Sequence, residues 1–378
     1  MQPLALGVRS GWAYEESAMS TPAQIREIRA RSVRVPMAHP HQTASGAVSE
    51  SPLVLIDVIT DEGVDGHSIV FTYTSAALGP TAELIRNLAP LVKGQPLAPS
   101  QLTDSLAERF RLLGTEGLLG MALAGLDMAI WDALARAAKT SLVRLLGFVE
   151  RPIPVYGGVG FDGPAGSARA AEAWAKRGFK GVKAKIGYRT VKEDLEVVRA
   201  LRKAVGEEVA VMVDYNQSLT PAEAVQRIRM LEDEGLTWVE EPTLAHDFHG
   251  HAHVAKQVQT PIQAGENWWG PRELTTAIEL HASDYVMLDA MKIGGVTGWL
   301  RAAAVAEAHR IPVSSHLWPE LSAQLLCISP TRHYLEYADW WNTVLIEPLA
   351  VEDGMARIEG VTGTGVAFNE AAASRFTV

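Results

Sequence analysis

Early in the chain, apolar and polar positions alternate as in strands over three segments: Ile25–Pro36, Leu53–Thr60 and Gly66–Phe71. Asp61-Glu62-Gly63 joins the last two, and Gly63 suits the left-handed position of a tight hairpin. A polar, small-residue stretch, His39–Ser51, reads as the loop between the first two strands. From about Pro80 to Gly147 the period becomes helical, including the run Met121–Ala138, and Gly147 is a C-cap signal. From Pro152 onward short apolar runs alternate with amphipathic helices. The predicted strands are Ile153–Tyr156, Gly181–Ile186, Val209–Asp214, Thr237–Glu241, Ile262–Gly265, Asp284–Asp289, Ile311–Ser315 and His333–Glu336. Thr190–Val205, Pro221–Glu234 and Val296–His309 are among the helices between them. Parallel strands joined by crossover helices close most simply as a (β/α) barrel.

The expected organisation is therefore an N-terminal extension (1–22), an α+β domain (23–147), a (β/α) barrel (148–345) and a C-terminal segment (346–378) that packs back on the first domain. Residues 1–22 lack the basic start, apolar core and cleavage site of a signal peptide. Met19 opens a fresh segment, Ser20-Thr21-Pro22-Ala23, with a helix-start signal, so residues 1–18 read as an upstream start or an extension.

Composition narrows the class of function. With 378 residues, 47% hydrophobic, the chain is long enough for a barrel with an appendage. A net charge of −10 without basic clusters argues against a nucleic-acid partner. No apolar run reads as the roughly 18–20 residues needed to span a bilayer, so no membrane association is expected. The single cysteine, Cys327, lies in an apolar stretch and reads as a buried thiol, which fits a reducing cytoplasm.

The chemistry follows the barrel's period. Lys185, Asp214, Glu240, Glu266, Asp289, His316 and Glu336 are separated by 29, 26, 26, 23, 27 and 20 residues, each gap about one strand–helix unit. Each lies at the end of a short apolar run, the position from which barrel active sites are built. Asp214, Glu240 and Glu266 form an all-oxygen set for a hard cation, and Mg²⁺ is the expected occupant. Lys183 and Lys185 share one face of a strand, where a neighbouring cation and each other bring a lysine pKa toward the working pH. Asp289 and His316 end adjacent strands, so the carboxylate is placed to orient the imidazole. Glu336, alone on the last strand, is expected as a neutral acid that donates to an oxyanion. Asn216 shares a face with Asp214 and is available to a substrate hydroxyl or carboxylate. Together these parts describe proton abstraction next to a carboxylate, with a base on each face of the carbon.

This constellation resembles the mandelate racemase subgroup of the enolase superfamily. The matching segments are Val182-Lys183-Ala184-Lys185-Ile186-Gly187, Val213-Asp214-Tyr215-Asn216, Glu240-Glu241-Pro242, Gly265-Glu266-Asn267, Asp289-Ala290-Met291-Lys292-Ile293-Gly294-Gly295 and Ser314-Ser315-His316. The likeness runs from about Val33 to the end. The resemblance implies an enolase-type fold, a capping domain over a modified TIM barrel. It also implies Mg²⁺ on Asp214, Glu240 and Glu266, with Lys185 and the His316–Asp289 pair as opposed bases. Lys183 would neutralise the substrate carboxylate, Glu336 would serve as electrophilic acid, and Asn216 would hold the hydroxyl. Two capping loops, His39–Ser49 and Ser68–Ser75, would close the barrel mouth, with Val48 and Tyr73 as pocket walls. The family's dimers and octamers imply a homo-oligomer.

Two departures shift substrate recognition. Tyr156-Gly157-Gly158-Val159-Gly160-Phe161 replaces a polar Ser-His stretch after the first barrel strand, and His41 stands where an apolar residue is expected. The implied reaction is racemisation or epimerisation of a 2-hydroxy carboxylic acid through an enediolate. The alternative is dehydration of an acid sugar, with His316 expelling a β-hydroxyl as an acid. Ala44, Ala47 and Val48 lean toward an aryl group; His41, Gln42 and Ser45 lean toward a polyol. A third class is a non-catalytic metal-binding barrel, against which the complete set of acids and bases argues.

Other signals are read as structural. His246, His249, His251 and His253 crowd one segment without a completing zinc pattern. The glycines of 360–365 read as turns, Glu241 as facing away from the site, and Asp127 and Asp132 as packing groups of the capping helix. Trp268, Trp269 and Trp318 follow strand ends, in either loops or pocket walls.

Overall fold

The computed structural model describes residues 23–43 and 46–378; the N-terminal extension, and Ala44 and Ser45 of the first capping loop, lie outside the described residues. The first domain is an antiparallel sheet of β1 (Ile25–Thr43), β2 (Gly46–Thr60) and β3 (Asp65–Phe71) in that order. Helices α1 (Ser75–Val92), α2 (Pro99–Arg109) and α3 (Gly117–Ala137) follow it, and a single turn, α4 (Leu142–Leu145), ends near Gly147 at φ 83°. Gly63 takes φ 78° in the tight turn between β2 and β3. Gly66 allows α3 to press on the sheet, because a Cβ there would lie 2.2 Å from the Ala129 carbonyl oxygen.

The polar loop expected between the first strands is instead the far end of a long two-stranded ribbon. Pairing continues past Pro36, after an irregularity, through His41↔Val48 and Gln42↔Ala47 to Thr43↔Gly46. Polarity misled here because a ribbon that leaves the core has no apolar face to alternate. The ribbon tip docks on the barrel, where Phe161 N donates to Gln42 O at 3.0 Å.

The second domain is a closed parallel barrel of eight strands. They are β4 (Ile153–Val159), β5 (Gly181–Lys185), β6 (Ala210–Asp214), β7 (Val239–Glu240), β8 (Ile262–Ala264), β9 (Tyr285–Asp289), β10 (Val313–His316) and β11 (Arg332–Tyr337). The pairing of β11 with β4 closes the barrel. The crossovers carry α5 (Gly163–Lys176), α6 (Val191–Val205), α7 (Pro221–Leu231), α8 (Phe248–Gln257), α9 (Gly270–Glu279), α10 (Gly295–Ala308) and α11 (Pro319–Cys327). Capping boxes start α6 (Thr190 with Glu193) and α7 (Thr220 with Glu223), satisfying the first-turn N–H groups. All eight predicted strands are present, within one to three residues at each end.

Beyond the barrel, β12 (Ala350–Glu352) and β13 (Met355–Arg357) form a hairpin that adds to β4 at Ile153 and Pro154. The chain then returns to the first domain. Thr364 donates twice to Asp132 on α3, and Glu370, opening α12 (Glu370–Phe376), pairs with Arg31 at 2.6 Å. Asp127 on α3 binds Thr297 of α10 and Thr103 of α2, so the helix joins both domains as well as packing within its own. At 21 residues, α3 is long and apolar enough to cross a bilayer, which corrects the reading of its sequence as too short. Its side chains, from Leu119 to Ala135, are instead mostly buried in the protein core. Cys327 is buried as expected, its thiol donating to Val149 O.

Candidate active site

Each predicted chemical group of the barrel lies within two residues of the C-terminal end of a strand, and the period-two alternation aims every second side chain into the barrel. Neighbouring strand ends stand in register. Lys185 pairs with Asp214, Asp214 with Glu240, and Asp289 with His316.

Asp214, Glu240 and Glu266 are buried and offer carboxylate oxygens within 4.8 Å of one another. Among the described residues no other His, Cys, Asp or Glu group has this geometry, and the histidine cluster does not: His246, His249 and His253 are exposed and only His251 is buried. Three buried carboxylates need compensating positive charge. Lys183 supplies part of it, donating to Glu240 and lying 3.0 Å from Glu336 and 3.9 Å from Asp214. Burial opposes the charge on Lys183, but Glu240 and Glu336 outweigh it and hold the ammonium pKa well above its ordinary value. Burial raises the Glu240 carboxyl. Burial also acts on Glu266, where His316, Lys183 and Lys185 prevail and bring it to about 2. An all-oxygen, buried, net-negative cradle of this size fits Mg²⁺.

Lys185 Nζ lies 3.4 Å from Asp214 and donates to Asn216 Oδ1. On the other side, His316 Nδ1 meets Asp289 Oδ2 at 2.7 Å, leaving Nε2 toward Glu266 at 3.6 Å and Glu336 at 3.8 Å. Asp289 is fixed by Met291 N and Lys292 N, which donate to its other oxygen at 2.8 and 2.9 Å. Burial disfavours the imidazolium, yet Glu266 and Asp289 push the His316 pKa up to about 9. Glu336 accepts from Leu317 N at 3.3 Å. Burial raises its carboxyl, but Lys183 and His316 bring it below its ordinary value.

Lys183, Lys185, Asp214, Glu266, His316 and Glu336 line one cavity of about 80 Å³. Its remaining wall holds Gly158, Val159, Trp174, Leu317, Tyr337, Ala338, Asp339, Trp340 and His41. His41 reaches it from the ribbon and packs on Trp340 at 5.2 Å between ring centroids. Burial and the Lys185 charge push the His41 pKa down to about 4, so its ring is neutral. Val48 and Tyr73 are not among the lining residues. Val48 pairs with His41 on the ribbon, and Tyr73 extends its hydroxyl to Asp289 behind His316.

Trp238 and Gln263, both at the site, had no reading from sequence. Both donate to Glu240 Oε2, at 3.0 and 2.9 Å, and fix that carboxylate. Trp238 was detectable, since it precedes Glu240 by two on one strand face. Glu241 is not turned away idly. It accepts from Gln217 and from Asn267, which also reaches Glu266 at 3.3 Å, so it braces one carboxylate of the triad. Trp268 and Trp318 pack inside loops, donating to Ala245 O and Ile69 O.

Residues 25–147 match the mandelate racemase/muconate lactonizing enzyme N-terminal domain, and residues 166–372 match the enolase C-terminal domain-like family. The chain belongs to the mandelate racemase/muconate lactonizing enzyme family. An enolase from Bradyrhizobium, complexed with magnesium and mandelic acid, is 45% identical with a TM-score of 0.92 over 95% of this chain and 100% of that one. The L-talarate/galactarate dehydratase of Salmonella typhimurium is 27% identical over 95% of this chain and 93% of its own length. The L-Ala-D/L-Glu epimerase of Bacillus subtilis is 28% identical over 75% of this chain and 78% of its own. This member of the family is thus an enolase-superfamily enzyme with a Mg²⁺ site, among relatives that include both epimerases and acid-sugar dehydratases.

Proposed function

We propose that the enzyme racemises or epimerises a 2-hydroxy carboxylic acid with an apolar, mandelate-like substituent, using Lys185 and His316 as opposed bases. The observation that carries this reading is that both bases open on one cavity from β5 and β10, with the carboxylate triad at the ends of β6, β7 and β8 on the arc that joins those two strands. Asp214, Glu240 and Glu266 would hold Mg²⁺, which when bound supplies positive charge against the negative charge developing on the substrate.

Lys183, held as an ammonium, pairs with the substrate carboxylate. Asn216 and Lys185 lie together beside Asp214, where Asn216 can hold the 2-hydroxyl. Lys185 or His316 removes the proton at C2, according to which face presents it, and the opposite base returns a proton. His316 must be neutral to accept one. With Glu266 engaged as a ligand, part of the negative charge that raises the imidazole pKa would be neutralised, which would favour the neutral ring. Glu336 faces the developing enediolate. An anionic carboxylate arriving beside it raises its own pKa and lets it carry the proton it donates. Trp340, Trp174, Val159 and Leu317 give the cavity an apolar side for the substituent.

The 45% identical neighbour that holds magnesium and mandelic acid supports a mandelate-like acid. The dehydratase reading uses the same groups, with His316 as the acid that expels a β-hydroxyl, and is favoured by Asp339 and His41 in the wall. Proton NMR of (R)- and (S)-mandelate and a panel of acid sugars in D₂O with Mg²⁺ separates them. Deuterium at C2 with loss of optical purity supports racemisation. A 2-keto-3-deoxy acid from one sugar, with inert mandelate, replaces it with dehydration.

A further inference from the structure

Asp289 Oδ2 accepts from His316 Nδ1 at 2.7 Å and is also approached by the Tyr73 hydroxyl at 3.5 Å. Backbone N–H groups occupy Oδ1, so these two are the side-chain donors to the carboxylate among the described residues. Tyr73 comes from the capping domain, on the short link between β3 and α1. Its backbone is left-handed at φ 57°, an arrangement non-glycine residues seldom adopt, inside a tight turn where Thr74 N donates to Thr72 O at 2.6 Å. Although the residue is 43% exposed, its hydroxyl end points inward.

The ring has two close neighbours. Phe71 lies 4.7 Å away between centroids, and Lys292 Nζ stands 4.7 Å from the ring centre. Lys292 in turn donates to Asn267, whose amide reaches Glu266. One run of contacts therefore joins the cap, the His316–Asp289 pair and a metal ligand.

We propose that Tyr73 is a positioning residue for His316. It holds the Asp289 carboxylate from the cap side, so that seating of the cap over the barrel mouth and alignment of the base occur together. The 3.5 Å approach is long for a hydrogen bond, and catalytic contacts of this kind shorten when substrate is bound. The proposal rests on His316 acting as a base, and adds that this base is set by a residue of the other domain.

Tyr73→Phe tests it, because the variant keeps the ring and its contacts and removes only the hydroxyl. In the full-length, Mg²⁺-loaded enzyme without substrate, the Nδ1 proton of His316 is followed by ¹H–¹⁵N NMR and assigned by its loss in His316→Asn. Removing a competing donor leaves Asp289 a stronger acceptor, so the resonance moves downfield in Tyr73→Phe; an unchanged resonance overturns the proposal. Deuterium exchange into each mandelate enantiomer gives the second readout. Tyr73→Phe slows the His316-dependent direction by roughly tenfold and spares the Lys185-dependent one. Equal slowing of both, or of neither, overturns it. If the wild-type enzyme exchanges neither enantiomer, the racemase reading fails on its own, while the NMR shift still decides the role of Tyr73.

Discussion

His316 and Asp289 are in-register partners on adjacent strands, and their side chains meet at 2.7 Å. Strand register therefore sets the orientation of the imidazole, since Nδ1 is engaged and Nε2 is left toward the cavity. Asp289→Asn offers a poorer acceptor and is expected to slow exchange on the His316 side by roughly 10²-fold or more. Exchange on the Lys185 side should persist. Single-enantiomer exchange rates by NMR check this.

His316, facing Glu266 and Asp289, makes the metal-free protein sensitive to pH. The His316 pKa is raised to about 9, above the ordinary 6.5. Its protonation thus stabilises the fold fully below about pH 6.5, and that contribution is lost as pH rises through 9. Thermal unfolding with chelator between pH 6 and 10 should show wild type losing Tm relative to His316→Asn across that window. Parallel curves would contradict the assignment.

Glu266→Gln removes one ionised ligand and the group that most strongly favours the imidazolium. Mg²⁺ affinity by calorimetry should fall by more than the roughly 10–100-fold typical for loss of an outer-shell partner. The His316 pKa in the metal-free variant should fall as well, since Glu266 is its leading favourable charge.

Two adjacent glycines on β4 should respond oppositely to substitution. A Cβ on Gly158, which lines the cavity, meets nothing within 4 Å, whereas one on Gly157 would lie 2.3 Å from Trp174. Gly158→Val should therefore fold normally, bind Mg²⁺ and lose roughly tenfold or more in kcat/KM for mandelate by filling the substrate's space. Gly157→Ala should cost about 1–3 kcal/mol of stability by overpacking. Denaturation midpoints with steady-state kinetics check both.

The barrel was legible because its period repeats and each chemical residue sits at or just past a strand end, so spacing alone placed Asp214, Glu240, Glu266, Asp289, His316 and Glu336 together. Parts of the site without a period were not legible. Trp340 and Asp339 lie beyond the last strand, and His41 reaches the cavity on a ribbon whose polarity reads as a loop. The place of Tyr73 behind Asp289, and the bracing of Glu266 through Asn267, depend on contacts between segments far apart in sequence. Spacing gives which strand ends a residue occupies, not which oxygen its side chain meets.

The central claim is that two bases serve opposite faces of one carbon, and single-base variants test it most directly. Deuterium exchange at C2 should survive for one mandelate enantiomer in Lys185→Ala and for the other in His316→Asn, with Mg²⁺ saturating. Loss of exchange for both enantiomers in each variant, or survival of the same enantiomer in both, would contradict the account.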